Sequence, residues 1–321
     1  MDKQLENSII KTLAYFDYFD HPLTKEELFR FLWQPPKISY VSFLHELFNY
    51  DFESSKFLNS KNGFYFLKNR EDTVLVRQEK TADNDYKHKV ARKAVKKIRY
   101  VPFVHAVLVC NNTSFEMASK KSDIDVVIIA RAGRIWIARL LVTLLLSIWR
   151  LRRNKKKTVN RICLSFYTTN KSLDFSKLVI TQPDIGFMYW IMQFCSIYDP
   201  DNLQQLILQK NKWIKPYLPN AFRQASMSER FFVKDNLISK TWKGFWHLAW
   251  KGKYGDLVED QTRSIQKAKM RRNLHSVQDE PDTRVIISDQ VLKFHEKDRR
   301  VDYKKEWEEK INKINNNLSK F

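Results

Sequence analysis

Residues 103–130 read "FVHAVLVCNNTSFEMASKKSDIDVVIIA". Two apolar runs, "FVHAVLVC" and "VVIIA", flank a polar loop, and each has the length and composition of a buried strand. The second run is entered through "SDID". Side chains alternate along a strand, so Asp123 and Asp125 project from one face while Ile124 points into the core. Two carboxylates on one rigid edge suit Mg²⁺, a hard cation that binds through one or two carboxylates plus substrate phosphates. A D-x-D pair is common at strand ends and in turns. Its weight here comes from the frame around it.

The frame extends in both directions. Downstream, Gly133 to Leu151 reads as a helix and "VNRICLSFYTT" as a third strand. Strand, loop, strand, helix, strand predicts a mixed sheet with helices packed on it. In "GRIWIARLLVTLLLSIWRLRR" the uninterrupted apolar part lies between Arg139 and Arg150, about half the roughly 20 residues a bilayer needs. Arg139, Thr143, Ser147 and Arg150 fall on one narrow stripe, which favours a helix buried against a sheet over a membrane span.

Upstream, residues 1–70 carry three apolar-periodic helices and a hairpin. "LENSIIKTLAYFDYF" is the first helix. "HPLTKEELFRFLW" is the second, with Thr24 and Glu27 as a capping box. "ISYVSFLHELFNY" is the third, and "KFLNSKNGFYFLKN" turns at Asn62-Gly63. This is a winged-helix pattern, though its third helix is aromatic and almost without positive charge, which fits packing or dimerisation as well as DNA reading. Residues 71–100 lack Gly and Pro and read as one connecting helix. Residues 101–180 form the mixed-sheet domain. Residues 181–321 are expected to be mostly helical, with "IGFMYWIMQFCSIYD", "NLQQLILQKNKWI" and "SERFFVKDNLISKTWKGFWHLAWKG" as helices. That region also holds one β-like run, "TRVIIS", and a final surface helix, "YKKEWEEKINKINNNL". The expected fold class is α+β.

The order strand, polar loop, "SDID", strand resembles the polymerase-beta-like nucleotidyltransferase superfamily, whose signature is a Gly-Ser turn followed by D-x-D entering a strand. The likeness is specific in "SDIDVVIIA" and covers residues 103–169. The stretches "FDYFDHPLTKEEL", "GRIWIARLLVTLLL", "NRICLSFY", "YDPDNL" and "ISDQVLKFHEKDRR" also look like bacterial proteins that join a winged helix to such a domain. The resemblance implies Mg²⁺-dependent transfer of a nucleoside monophosphate from an NTP to an acceptor hydroxyl. Asp123 and Asp125 would be the metal ligands, with Asn111, Asn112 and Ser122 at the phosphates. The acceptor would be a nucleic acid, a protein or another molecule.

Two departures stand out. Aligned backwards from "SDID", the Gly and Ser positions are Asn111 and Asn112, and Glu116 falls where a small residue is common. Asn is the non-glycine residue most at ease with positive φ, and its amide can hydrogen-bond a phosphate. Glu116 is unfavourable near a triphosphate unless it points away. The second departure is the third carboxylate, which the superfamily carries on the following strand. "NRICLSFYTT" has no acid, and Asp174 is the nearest candidate. The competing expectation is a catalytically degenerate nucleotidyltransferase-fold protein that acts as a nucleic-acid-binding or scaffold protein.

The bulk numbers fit either. The 321 residues allow two or three domains, and 43% apolar content supports a real core. Against 36 acidic residues stand 57 Lys and Arg, a formal charge of +21. Such an excess favours polyanionic partners, among them nucleic acid, nucleotides or an anionic membrane face, with a merely solubilising surface as the alternative. Cys110, Cys163 and Cys195 form no CxxC pair, and the N-terminus lacks a signal-peptide pattern, so a cytoplasmic location is expected. HExxH, GxSxG, P-loop and Rossmann patterns are absent. The basic run Arg150, Arg152, Arg153, Lys155, Lys156, Lys157 and Arg161 reads as an anion path or a wet turn. His295 and Asp298, three apart in "LKFHEKDRR", read as part of a charged helix in preference to a catalytic dyad, for which no partner nucleophile is evident.

Overall fold

The N-terminal helices α1 (Lys3–Asp17), α2 (Lys25–Phe31) and α3 (Tyr40–Phe48) start at local caps. Asp2 accepts from the amides of Gln4 and Leu5, and the Thr24–Glu27 capping box forms in full. β1 (Leu23–Thr24), β2 (Leu58–Lys61) and β3 (Phe64–Leu67) make an antiparallel sheet in the order β1-β3-β2. Asn62 and Gly63, both at positive φ, turn β2 into β3. This computed structural model describes residues 1–114, 116–222, 229–273, 276–280 and 282–318.

α4 (Asp72–Ile98) is the expected connecting helix. The next elements are β4 (Val104–Val109), a single turn α5 (Asn111–Ser114), β5 (Ile124–Ala130), α6 (Ile135–Ile148) and β6 (Ile162–Thr169). After them come α7 (Ile185–Met192), β7 (Cys195–Tyr198), α8 (Leu203–Lys210), α9 (Leu237–Ala249) and α10 (Lys253–Arg271). The chain closes with β8 (Val285–Ile287), β9 (Val291–Phe294) and α11 (Arg300–Leu318). The large sheet has the order β7-β4-β5-β6-β9-β8. Only β5 and β6 run parallel, joined by the α6 crossover, and the other pairs are antiparallel. The described residues are thus α+β, with eleven α-helices and two sheets. None of these helices is long and apolar enough to cross a membrane.

Strand alternation splits the core in two. Val107, Val109, Ile124, Val126, Ile128 and Tyr167 face α4 and α6. Ala106, Leu108, Val127, Ile129 and Phe166 face a second cluster built from α1–α3, α7, α8 and α11. Asp125 has the parity of Val127 and Ile129. The acid pair therefore opens toward the side where the N-terminal helices and the C-terminal segment meet.

Two expectations need correction and a third is sharpened. "IGFMYWIMQFCSIYD" is helix only to Met192. Its second half becomes β7, because the free edge of β4 pairs with it and buries Ile197 and Tyr198. "SERFFVKDNLISK" is non-helical up to Asn236, which caps α9 through a reciprocal bond pair with Ser239; its Ser228 lies outside the described residues. The final helix is a surface element, as expected, with most of its described side chains exposed, but one apolar stripe anchors it. Trp307 and Ile311 are buried against α1 and α7, and Trp307 Nε1 donates to the Lys11 carbonyl at 2.8 Å. The C-terminal region is mostly helical, yet it supplies β7, β8 and β9, half the strands of the large sheet.

Candidate functional site

Asp123 immediately precedes β5 and Asp125 lies within it, with Ile124 fully buried behind them. The loop that delivers them is held from α4. Lys87, 1% exposed, donates to the Ser122 carbonyl at 2.6 Å and to Asn160 Oδ1 at 2.7 Å. A buried ammonium is costly unless its protons find acceptors, and these two carbonyl-type oxygens take two of its three N–H donors. Burial still pulls its pKa down.

Cys163 stands opposite Asp125 in the parallel β5–β6 register. Between Asp125 and Val127 the register shifts, so two steps on β5 face three on β6. Such a bulge re-aims side chains beside a site. The ligand atoms of Asp123, Asp125 and Cys163 all lie within 4.8 Å of one another. Burial, and then the neighbouring Asp123 charge, raise the Asp125 carboxyl to about 6, against hydrogen bonds from Asn111 and Cys163. Burial, and then both aspartates, push the Cys163 thiol up to about 12. Arg153 Nη1 lies 2.7 Å from Asp123 Oδ2 and 3.5 Å from Cys163 Sγ.

Asn111 adopts φ +53°, a left-handed conformation that Asn tolerates better than most non-glycine residues. Its amide oxygen accepts from Trp190 Nε1 at 2.6 Å, and its side chain also bonds Asp125. Asn112 is exposed beside it. Ser122 turns back, its hydroxyl donating to the Ser119 carbonyl at 3.1 Å, and does not line the cavity described below. Glu116 points away from the acid pair. It reaches Arg77 at 3.2 Å and lines a separate cavity of about 160 Å³ with Glu27 and Arg30. Asp174 caps its own turn through the Ser176 amide and stays outside the site. Phe115 lies outside the described residues.

A cavity of about 260 Å³ opens over Asp125. Asn111, Asn112 and Asp125 form one wall. Lys293, His295, Lys297, Arg299 and Arg300 form another, and Tyr15, Phe187, Trp190 and Tyr303 supply aromatic surface. The basic wall arrives because β9 pairs with β6, placing Lys293 opposite Phe166. His295 Nε2 lies 3.2 Å from Ser165 Oγ. Asp298 is not its catalytic partner: it accepts from Lys293 at 3.0 Å and from Arg300 Nη2 at 2.7 Å. Those two cations hold its carboxyl far below the usual range. Arg300 also spans to Asp184 at 3.0 Å and lies over the Phe187 ring. The charged-helix reading of "LKFHEKDRR" is thereby corrected: the segment is strand and loop, and it lines the cavity.

The basic run forms its own open depression of about 560 Å³, lined by Arg150, Arg152, Arg153, Lys155, Lys156, Lys157 and Arg161. Arg153 joins it to the acid pair. The sequence reading missed Cys163, Lys87 and the Lys293–Arg300 wall. The density of cations in "LKFHEKDRR" was the available signal for the wall, and nothing local marked Cys163. No family model, curated protein or solved structure matches the chain.

Proposed function

We propose that the protein transfers a nucleoside monophosphate from an NTP to an acceptor hydroxyl, using a divalent cation, Mg²⁺ in the first instance, at Asp123 and Asp125. One observation carries this reading. The cavity sets Asp125, Asn111 and Asn112 against a wall where Lys297 and Arg299 stand beside Lys293 and Arg300, the last two already paired with Asp298 and Asp184, a charge pattern that suits a metal-bound polyphosphate. On this reading the chain is a member of the superfamily it resembles, and α1–α3 with the small sheet form a winged helix.

The donor set fits one ion. Two carboxylates supply hard oxygens, whereas Cys163 offers a buried, protonated thiol where a third acid is expected. When bound, the ion would neutralise phosphate charge and activate the acceptor hydroxyl. The chain's own residues do the rest. Asn111 fixes Asp125, Lys297 and Arg299 reach the phosphates, and Phe187 with Trp190 offers ring surface for a base. Arg153 stands as counter-cation on Asp123 and faces the basic depression, a route for a nucleic-acid acceptor. The acceptor oxygen bonds to the α-phosphorus, pyrophosphate leaves, and the hydroxyl proton passes to water.

Titration of a labelled NTP with and without Mg²⁺ tests the site. Asp125→Asn is expected to lower the Mg²⁺-dependent affinity by about tenfold or more and to abolish transfer. Unchanged Mg²⁺-dependent binding refutes the assignment. A second reading, a nucleic-acid-binding or scaffold protein without turnover, is favoured by Cys163 at the third-acid position. It predicts salt-sensitive polyanion binding that is indifferent to both aspartates.

A further inference from the structure

α9 is attached to the protein by its polar edge. Ser239 is buried at the capping turn, and Lys243 is paired with Asp235 at 2.7 Å. His247 stacks on Phe103 with centroids 4.9 Å apart, and Trp250, just past the helix, stacks on the same ring at 5.9 Å. These contacts leave the opposite, apolar face in water. Leu237 is 78% exposed, Ile238 68%, Trp242 46%, Phe245 60% and Leu248 73%. On a helix these five positions fall within about 140° of arc, at 100° per residue. Ordinary surface helices are oriented the other way, with the apolar stripe inward. Contiguous exposed apolar surface of this kind marks a docking face.

The charge around the face identifies what covers it. Residues 234–253 hold Lys234, Lys240, Lys243, Lys251 and Lys253 against a single acid, Asp235, which Lys243 already partners. The helix itself has no acidic residue. Trp, Phe and Leu on one face, bordered by lysines with long apolar stems, is the composition of a helix that lies in a membrane interface. The chain's formal charge of +21 adds long-range attraction to the same surface. We propose that α9 docks the protein on an anionic lipid bilayer, with Leu237, Ile238, Trp242, Phe245 and Leu248 in the headgroup boundary and the bordering lysines on lipid phosphates. The helix lies on the bilayer and does not cross it, since it is far shorter than a span needs. This goes beyond the nucleotide reading and does not depend on it.

Flotation of the full-length protein with vesicles tests the docking. Partition into vesicles of equal parts phosphatidylcholine and phosphatidylglycerol is expected to exceed that into pure phosphatidylcholine by about tenfold or more, and to weaken with salt. The paired variant Trp242→Ser, Phe245→Ser is expected to lose flotation while keeping its far-UV circular dichroism and melting temperature, because both side chains are exposed. Lys240→Gln with Lys251→Gln is expected to lower the preference for anionic vesicles. The proposal is overturned if the wild type does not float, or if the serine variant floats as well as the wild type. Self-association in sedimentation equilibrium that the serine variant abolishes, without vesicle binding, assigns the face to a second copy of the chain and equally overturns it.

Discussion

At the scale of single residues, Cys163 decides most. Its position opposite Asp125 is where a third carboxylate would complete a metal site. Cys163→Asp is expected to raise Mg²⁺ affinity by about tenfold, since a hard oxygen replaces a protonated thiol. Without metal, three crowded carboxylates repel, so the variant should melt lower than wild type and recover with Mg²⁺. A melting temperature indifferent to Mg²⁺ counts against Cys163 as the third position. His295 gives a pH signature. Burial, and then the nearby Lys293 charge, push it down to about 4. The unfolded chain protonates His near 6.5, so between about 6.5 and 4 it binds more protons than the fold, and stability falls as pH falls. Asp125 acts oppositely: its folded value of about 6 lies above the unfolded one, so its contribution falls as pH rises from about 4 to 6. Comparing wild type with His295→Gln isolates the histidine. The variant is expected to lose less stability on acidification, by on the order of 2 kcal/mol, read from urea unfolding at several pH values.

At the scale of elements, two helices act through long-range polar contacts. α4 is mostly polar, yet Lys87 is buried on the loop that carries Asp123. Lys87→Met keeps the stem and removes the bonds to Ser122 and Asn160, at an expected cost of about 1–3 kcal/mol. NTP affinity should fall with it as the loop loosens, and parallel unfolding and nucleotide titrations check both. α6 begins with no side-chain cap of its own. Glu259 of α10 caps it instead, accepting from the Trp136 amide at 2.9 Å and the Ile137 amide at 3.0 Å. Glu259→Ala is expected to cost about 1–2 kcal/mol. A denaturation midpoint within error of wild type refutes that capping role. Elements were legible where their signals are local, as with the Thr24–Glu27 box, the Asn62-Gly63 turn and the helix after "SDID", although that helix is buried mainly in its first half and exposes Leu144 and Ile148. β7 was not, because a short apolar run reads equally as helix or strand until β4 offers it an edge.

At the scale of the whole molecule, the C-terminus closes the structure. α11 packs on α1 and α7, and Trp307 meets Trp33 edge-on with centroids 5.3 Å apart. Trp307→Ala is expected to destabilise the fold by about 3–5 kcal/mol and to weaken NTP binding, since the same segment places Lys297, Arg299 and Arg300 on the cavity. A calorimetric melt and the NTP titration report the two effects. By itself the sequence determined the α+β class, the strand that presents Asp123 and Asp125 on one face, and the permissive turn at Asn111. Each follows from spacing and backbone preference over a few neighbouring residues. Only the tertiary structure decided that Cys163 faces Asp125, that the Lys293–Arg300 segment joins the cavity and that Glu116 turns away. It also decided that α9 presents its apolar face outward. Those outcomes depend on strand order and on which side of a helix finds a partner, and such pairings between distant segments leave no trace in local periodicity.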